Sequence, residues 1–108
     1  MKKMMLVLIA LLSLAGFASA DDFKYSTTGN QECENVGILT ANIIEMRNNG
    51  ENYFNTKKYA HSNFKYVKSH VYMMEGVLRV AYSNPPWAFD PESEAKSMVD
   101  MCEGKVVW

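Results

Sequence analysis

The chain has 108 residues, of which 48% are hydrophobic and 21% charged, and its formal net charge is −1. This length suits one small domain with a single core and is too short for two. The near-neutral charge argues against general nucleic-acid binding, which needs a strongly basic surface.

The first twenty residues have the three parts of a cleavable secretory signal peptide. Two lysines follow the initiating methionine, an apolar run covers residues 4–15, and small side chains at Ala18 and Ala20 suit signal peptidase. A retained membrane anchor would need about 20 apolar residues, more than this run contains. We therefore predict cleavage after Ala20, no membrane span in the remaining chain, and a periplasmic or secreted product.

The predicted product is a single domain of residues 21–108. The signal peptide takes two of the eleven basic residues and none of the twelve acidic ones, so nine basic and twelve acidic residues remain and the formal net charge becomes −3. A mildly acidic, exported domain gives no reason to expect a nucleic-acid partner.

Two cysteines, Cys33 and Cys102, fall in this domain. An even count in an exported chain predicts a disulfide, and only one intramolecular pairing is available. Closing so long a loop stabilises a small domain by about 4 kcal/mol in the chain-entropy model. A redox-active pair is the weaker interpretation, since there is no Cys-x-x-Cys spacing to activate one thiol.

The first predicted helix covers residues 31–49, because apolar residues recur there every three or four positions and Gly50 is suited to end it. Arg47 would complement the negative end of this helix. Residues 51–63 fit either a separate short helix or an extension of the next one. The apolar positions of the first helix are Cys33, Val36, Leu39, Ile43 and Met46.

The strongest helical stripe covers residues 64–82 and stops at Asn84-Pro85-Pro86. A last helix is predicted after Asp90, an N-cap residue followed by proline, and Gly104 would end it. Its inner face would include Ala95, Met98, Val99 and Cys102. The sequence thus predicts an all-α bundle of three or four helices, tied by one disulfide across the core.

One set of spaced residues comprises Cys33, Ala41, Ile44, Arg47, Gly50, Ala81, Tyr82, Pro85 and Cys102. Their spacing resembles a pattern in small exported bacterial helical proteins of unknown function. In overall plan the chain is also similar to periplasmic acid-activated chaperones with one disulfide and to helical immunity proteins that neutralise secreted toxins. The pattern carries no activity.

Catalytic motifs are missing from the sequence. The histidines, His61 and His70, are nine positions apart and so fall on different faces of a helix, and no nucleophile elbow, zinc-protease motif or phosphate-binding loop occurs. We predict a non-enzymatic protein without a cofactor. A weaker hypothesis is a Cu(I) site at His70, Met73 and Met74, for which ordinary core packing of the methionines is the alternative.

A candidate binding face combines basic residues between positions 57 and 68 with the aromatic residues after Pro86. In a helix these basic residues would form a stripe that could contact an acidic protein or an envelope component. The alternatives are a solvated helix back and aromatic residues that cap the bundle. The residues are Lys57, Lys58, His61, Lys65, Lys68, Trp87 and Phe89.

Three functions follow as hypotheses from these features. The first is an exported interaction module for a protein or envelope component, the second an acid-activated periplasmic chaperone, and the third a Cu(I)-binding periplasmic protein. The sequence specifies neither the partner nor the oligomeric state.

Overall fold

The computed structural model describes residues 25–105, and the predicted signal peptide lies outside this part of the chain. Within it there are four α-helices and no strand, which confirms the predicted all-α bundle. Two 3-10 turns, Phe64–Tyr66 and Lys68–His70, connect the second helix to the third. The helices are α1 (Gln31–Asn48), α2 (Tyr53–Ser62), α3 (Val71–Tyr82) and α4 (Pro91–Cys102).

Short polar side chains begin three of the four helices. Asn30 accepts a hydrogen bond from the Cys33 amide at 3.0 Å, Asn52 accepts one at 2.7 Å at the start of α2, and Asp90 accepts one at 2.9 Å at the start of α4. Each cap satisfies a backbone N–H that has no partner within the helix. The undecided segment after Gly50 is therefore a separate helix, α2.

Helices α1 and α4 pack closely, and the predicted disulfide joins them. The Cα atoms of Cys33 and Cys102 are 5.6 Å apart. Four residues along α1, Gly37 leaves room for Val99, because a Cβ atom added to Gly37 would lie 2.6 Å from the Val99 Cγ2 atom. The crosslink and the glycine together allow the two helices to approach so closely.

The core lies between α1, α3 and α4 and is covered on one side by α2. Its largest fully buried apolar side chains come from three of the helices and from the connection before α3. Met74 is among them, so for this residue the core-packing interpretation is confirmed. These side chains are Val36, Leu39, Ile43, Val67, Met74, Leu78 and Val99.

The prediction of one continuous helix from residue 64 to residue 82 is wrong. The backbone leaves the α-helical region at Val67 and His70, and α3 begins only at Val71. A tertiary contact accounts for the break: the Glu32 carboxylate of α1 accepts hydrogen bonds from the Ser69 amide and from His70, both at 2.8 Å. Val67 is nevertheless completely buried, so the apolar pattern identified a core position without identifying its backbone conformation.

The segment before α1 is held against the bundle by two carboxylates. Buried Glu34 accepts hydrogen bonds from the amides of Tyr25 and Ser26 at 2.7 and 2.6 Å. Glu103, just after α4, accepts hydrogen bonds from the hydroxyls of Ser26 and Thr28. These contacts extend the α1–α4 interface beyond the disulfide.

None of the helices between residues 25 and 105 combines the length and the apolar character that crossing a membrane requires.

Candidate functional site

The loop between α3 and α4 holds Trp87 in an unusual conformation. Residues 85–88 form a turn closed by a hydrogen bond from the Ala88 amide to the Pro85 carbonyl at 3.2 Å. Pro86 occupies the second position, and Trp87 occupies the third with a φ of 70°. Turns with proline second and positive φ third usually have glycine or asparagine there, since a bulky side chain is strained in this region. Trp87 is the one non-glycine residue with positive φ in the described chain.

The Trp87 side chain is 70% exposed, although tryptophan is mostly buried in proteins. The alternative in which Trp87 caps the bundle is therefore wrong for this residue, whereas half-buried Phe89 packs against the core. The loop thus combines one inward aromatic side chain with one that faces solvent.

The end of α1 fixes this loop in place. The amide oxygen of Asn48 accepts a hydrogen bond from the Trp87 backbone N–H at 2.6 Å, and its NH₂ group donates to the Phe89 carbonyl at 3.3 Å. Asn48 is buried, and both bonds are partly buried. One side chain therefore holds the backbone on both sides of Ala88.

Arg47 holds the start of the same loop. Its Nε and Nη2 atoms donate to the Asn84 carbonyl at 3.2 and 2.7 Å, and its guanidinium lies 4.8 Å from the centre of the Tyr82 ring. Arg47 was predicted to complement the α1 dipole, and its position in the last turn permits this. The structure gives it specific partners that the sequence pattern did not indicate.

Tyr82 links the loop end of α3 to the beginning of α2. Its hydroxyl donates to the Glu51 carbonyl at 2.7 Å and lies 2.7 Å from the Thr56 hydroxyl. Burial is the main cause that raises the pKa of Tyr82. The phenol therefore remains a neutral hydrogen-bond donor. The hydrogen bonds of its hydroxyl to Glu51 and Thr56 fix the ring that Arg47 contacts.

An apolar cleft of about 290 Å³ opens beside the loop, between α1, α3 and α4. Phe89 contributes to its wall, and Val80, itself 49% exposed, lies at its edge. Arg79 and Glu94 add one charge of each sign. The remaining lining residues are Thr40, Ile44, Met73, Gly76, Val77, Met98 and Met101.

The basic half of the predicted binding face does not form one helical stripe. Helix α2 ends at Ser62, and the 3-10 turns change the direction of Lys65 and Lys68 relative to Lys58. Lys65 and Lys68 precede α3, whereas Trp87 and Phe89 follow it, and a 12-residue helix is about 18 Å long. The structure therefore separates these two lysines from the aromatic residues.

Several basic side chains of this half have local partners. Lys57 and Lys65 have their ammonium groups 5.7 and 5.4 Å from the ring centres of Tyr53 and Tyr66. His61 lies 3.0 Å from a carboxylate oxygen of Glu75. Lys58 and Lys68 are exposed.

The three residues of the copper hypothesis, His70, Met73 and Met74, do not form a group of metal ligands that a copper ion could reach. The Nδ1 atom of His70 lies 2.8 Å from Glu32, and its Nε2 atom lies 3.4 Å from the Cys102 sulfur. Met73 and Met74 are buried, and the Thr40 hydroxyl lies 3.9 Å from the Met74 sulfur. Between residues 25 and 105 there is also no group of three or more His, Cys, Asp and Glu side chains placed to hold a metal ion.

Sequence reasoning singled out Trp87 and Phe89 but missed Asn48, Val80 and Glu94. A signal for the strained turn was present, because a Pro-Pro pair followed by tryptophan places a bulky residue where such a turn needs positive φ. No local signal could have indicated that the distant Asn48 holds this turn.

Comparison with protein-family models, with curated protein sequences and with solved structures finds no match to this chain.

Proposed function

We propose that this chain is an exported, non-catalytic binding module that recognises a protein partner through Trp87 and the adjoining apolar cleft. One observation carries the proposal: an exposed tryptophan is held in a backbone conformation that costs of order 1–3 kcal/mol. A buried asparagine and an arginine from α1 maintain that conformation. Strain that the rest of the fold maintains in this way is typical of functional positions.

Protein interfaces use tryptophan in the way this loop presents it. Residues whose truncation costs about 2 kcal/mol or more are enriched in tryptophan and lie near the centre of an interface. Holding the loop before binding reduces the entropy lost when the partner arrives. Asn48 and Arg47 supply that preorganisation here.

The apolar lining of the cleft favours a protein as the partner rather than a polymer with a flat surface. Its walls are mainly aliphatic and thioether side chains, which suit an apolar side chain of the partner. Arg79 and Glu94 can pair with charges of opposite sign beside that side chain and so fix its orientation. The partner is thus expected to present an apolar anchor next to charged residues.

Export remains part of the proposal. It is supported by the signal-peptide pattern of residues 1–20 and by the Cys33–Cys102 bond, since disulfides persist in oxidising compartments. A periplasmic or extracellular partner is expected for the same reason.

The test has two stages and uses the oxidised protein. A protein that the wild-type chain retains from an envelope extract is identified, purified and titrated against wild-type, Trp87→Ala and Phe54→Ala proteins. Phe54 is the matched control, because it is 69% exposed but lies on α2, away from the cleft. We expect Trp87→Ala to weaken binding about 30-fold, which corresponds to about 2 kcal/mol, and Phe54→Ala to leave it nearly unchanged. Equal affinities of all three proteins would refute the proposal.

A second candidate, the acid-activated chaperone, is favoured by the carboxylates that hold the segment before α1. Glu34 and Glu103 accept four hydrogen bonds from residues 25–28, and protonation would weaken these bonds. This function predicts that at about pH 3 the protein binds a hydrophobic dye and suppresses aggregation of an unfolded client. A protein that binds no dye at that pH would refute it.

A further inference from the structure

Two polar contacts in series lead from Glu32 through His70 to the disulfide. Glu32 Oε2 lies 2.8 Å from His70 Nδ1, and His70 Nε2 lies 3.4 Å from the Cys102 sulfur. Glu32 also accepts a hydrogen bond from the Ser69 amide at 2.8 Å, which fixes the carboxylate. A carboxylate, an imidazole and a sulfur atom thus lie in the order that cysteine nucleophiles use, with the carboxylate as the orienting group.

The electrostatics of this group favour the charged form of Glu32. Partial burial acts to raise the pKa of Glu32, but hydrogen bonds from His70 and Ser69 and the charges of His70 and Lys68 outweigh it, so the pKa is lowered. Glu32 therefore stays a carboxylate and holds the ring with Nε2 toward the sulfur. Glu103, the acidic residue directly after Cys102, is bound to Ser26, Thr28 and Lys105.

The two cysteine residues differ in exposure. Cys33 is 1% exposed, whereas Cys102 is only partly buried. We therefore expect an incoming thiolate to attack Cys102, the more exposed residue, whose sulfur lies beside His70. A thiolate next to a protonated imidazole is stabilised relative to the thiol.

We propose that Cys33–Cys102 is an exchangeable disulfide in which Cys102 is the exchanging sulfur, His70 is the proton partner of its thiolate and Glu32 orients His70. The reductant is a dithiol. This extends the description of the bond as a crosslink and is independent of binding at Trp87.

The exchange proceeds in two steps. One thiolate of the dithiol attacks the Cys102 sulfur, the bond between the two cysteines breaks, and Cys33 leaves as a thiolate that takes up a proton. The second thiolate of the dithiol then attacks the first sulfur of the same dithiol in the mixed disulfide, and Cys102 leaves as a thiolate beside His70. Two electrons pass to the protein, and the dithiol becomes a disulfide.

The first experiment locates the exchanging sulfur in the folded, oxidised protein. The protein is treated briefly with reduced glutathione, free thiols are blocked in acid, and the position of the glutathione adduct is mapped by mass spectrometry. We expect the adduct on Cys102, and an adduct on Cys33 would overturn the proposal.

The second experiment tests the role of His70. The rate of Cys102 alkylation by iodoacetamide is measured against pH in the reduced protein for wild type, His70→Gln and His61→Gln. His61 is the matched control because it also pairs with a glutamate but packs on Phe64. We expect the inflection of wild type and His61→Gln to lie about one pH unit or more below that of His70→Gln. The same inflection pH in all three proteins would overturn the proposal. If the role of His70 were purely structural, replacing it would leave the inflection pH unchanged.

Discussion

Replacing Asn48 by alanine removes both hydrogen bonds that hold the Trp87 loop. Each such bond contributes about 0.5–1.5 kcal/mol, so their loss costs about 1–3 kcal/mol in the free energy of unfolding. Release of Trp87 from its positive φ returns about 1–2 kcal/mol of strain. We therefore expect a modest net loss of about 1 kcal/mol, which lowers Tm by about 4–8 °C in a domain of this size.

Amide hydrogen exchange reports the same change at one atom. The Trp87 N–H is protected by Asn48 in the wild-type protein, so we expect it to exchange faster in Asn48→Ala. Asn48→Asp keeps an acceptor for the Trp87 N–H but loses the donor to the Phe89 carbonyl, so in this variant the Trp87 amide should stay protected.

The control is the exposed neighbour Asn49, whose side chain has no bond to the loop. Asn49→Ala should retain both the wild-type Tm and the protection of the Trp87 amide. If Asn48→Ala matches Asn49→Ala in both measurements, Asn48 does not hold the loop, and the argument for a preorganised tryptophan is wrong.

Three further predictions concern stability. Trp87→Gly should be more stable to urea than Trp87→Ala by about 1 kcal/mol, the reverse of the usual order, because glycine adopts positive φ without strain; the opposite order would show that the turn is unstrained. Gly37→Ala should destabilise the protein by about 1–3 kcal/mol in thermal unfolding, because its Cβ would lie 2.6 Å from a Val99 methyl group, whereas Gly76→Ala, with its nearest contact at 3.9 Å, should be neutral or stabilising; equal effects would contradict the close packing. Burial acts to raise the pKa of Glu103, but bonds from Ser26, Thr28 and Lys105 outweigh it and lower the pKa below its ordinary value of 4.5. The contribution of Glu103 to the stability of the fold is therefore complete above that ordinary value and is lost as the pH falls through the lowered pKa. Glu103→Gln should therefore reduce the difference in Tm between about pH 6 and pH 3, and an unchanged difference would show that Glu103 does not contribute.

Much of the fold was predictable because its signals are local. The apolar spacing of α1, the glycine at position 50 and the Asp90-Pro91 start of α4 all act within a few residues. The disulfide followed from counting, since two cysteines in a chain predicted to be exported leave one intramolecular pairing. The predicted helices and the predicted crosslink together indicated the observed architecture, an all-α bundle tied by one disulfide.

The errors arose where distant residues decide the backbone. Glu32 interrupts the predicted helix before α3 by binding Ser69 and His70, which lie more than thirty residues away. The same limit applied to the site, since Asn48 and Trp87 are thirty-nine residues apart. An apolar pattern identifies which positions are buried, but it does not show that a polar side chain from another helix has captured the backbone between them.

The disulfide and the Trp87 loop lie toward opposite ends of α1. Cys33 lies in the first turn of α1 and Asn48 at its end, fifteen residues later, which corresponds to about 22 Å along the helix. Because the bond brings the C-terminus of α4 beside the start of α1, chain that enters at residue 30 and leaves at residue 103 does so at one end of the bundle. A fusion partner or a surface attached at that end would lie about one helix length from the Trp87 loop, which the other end of α1 holds.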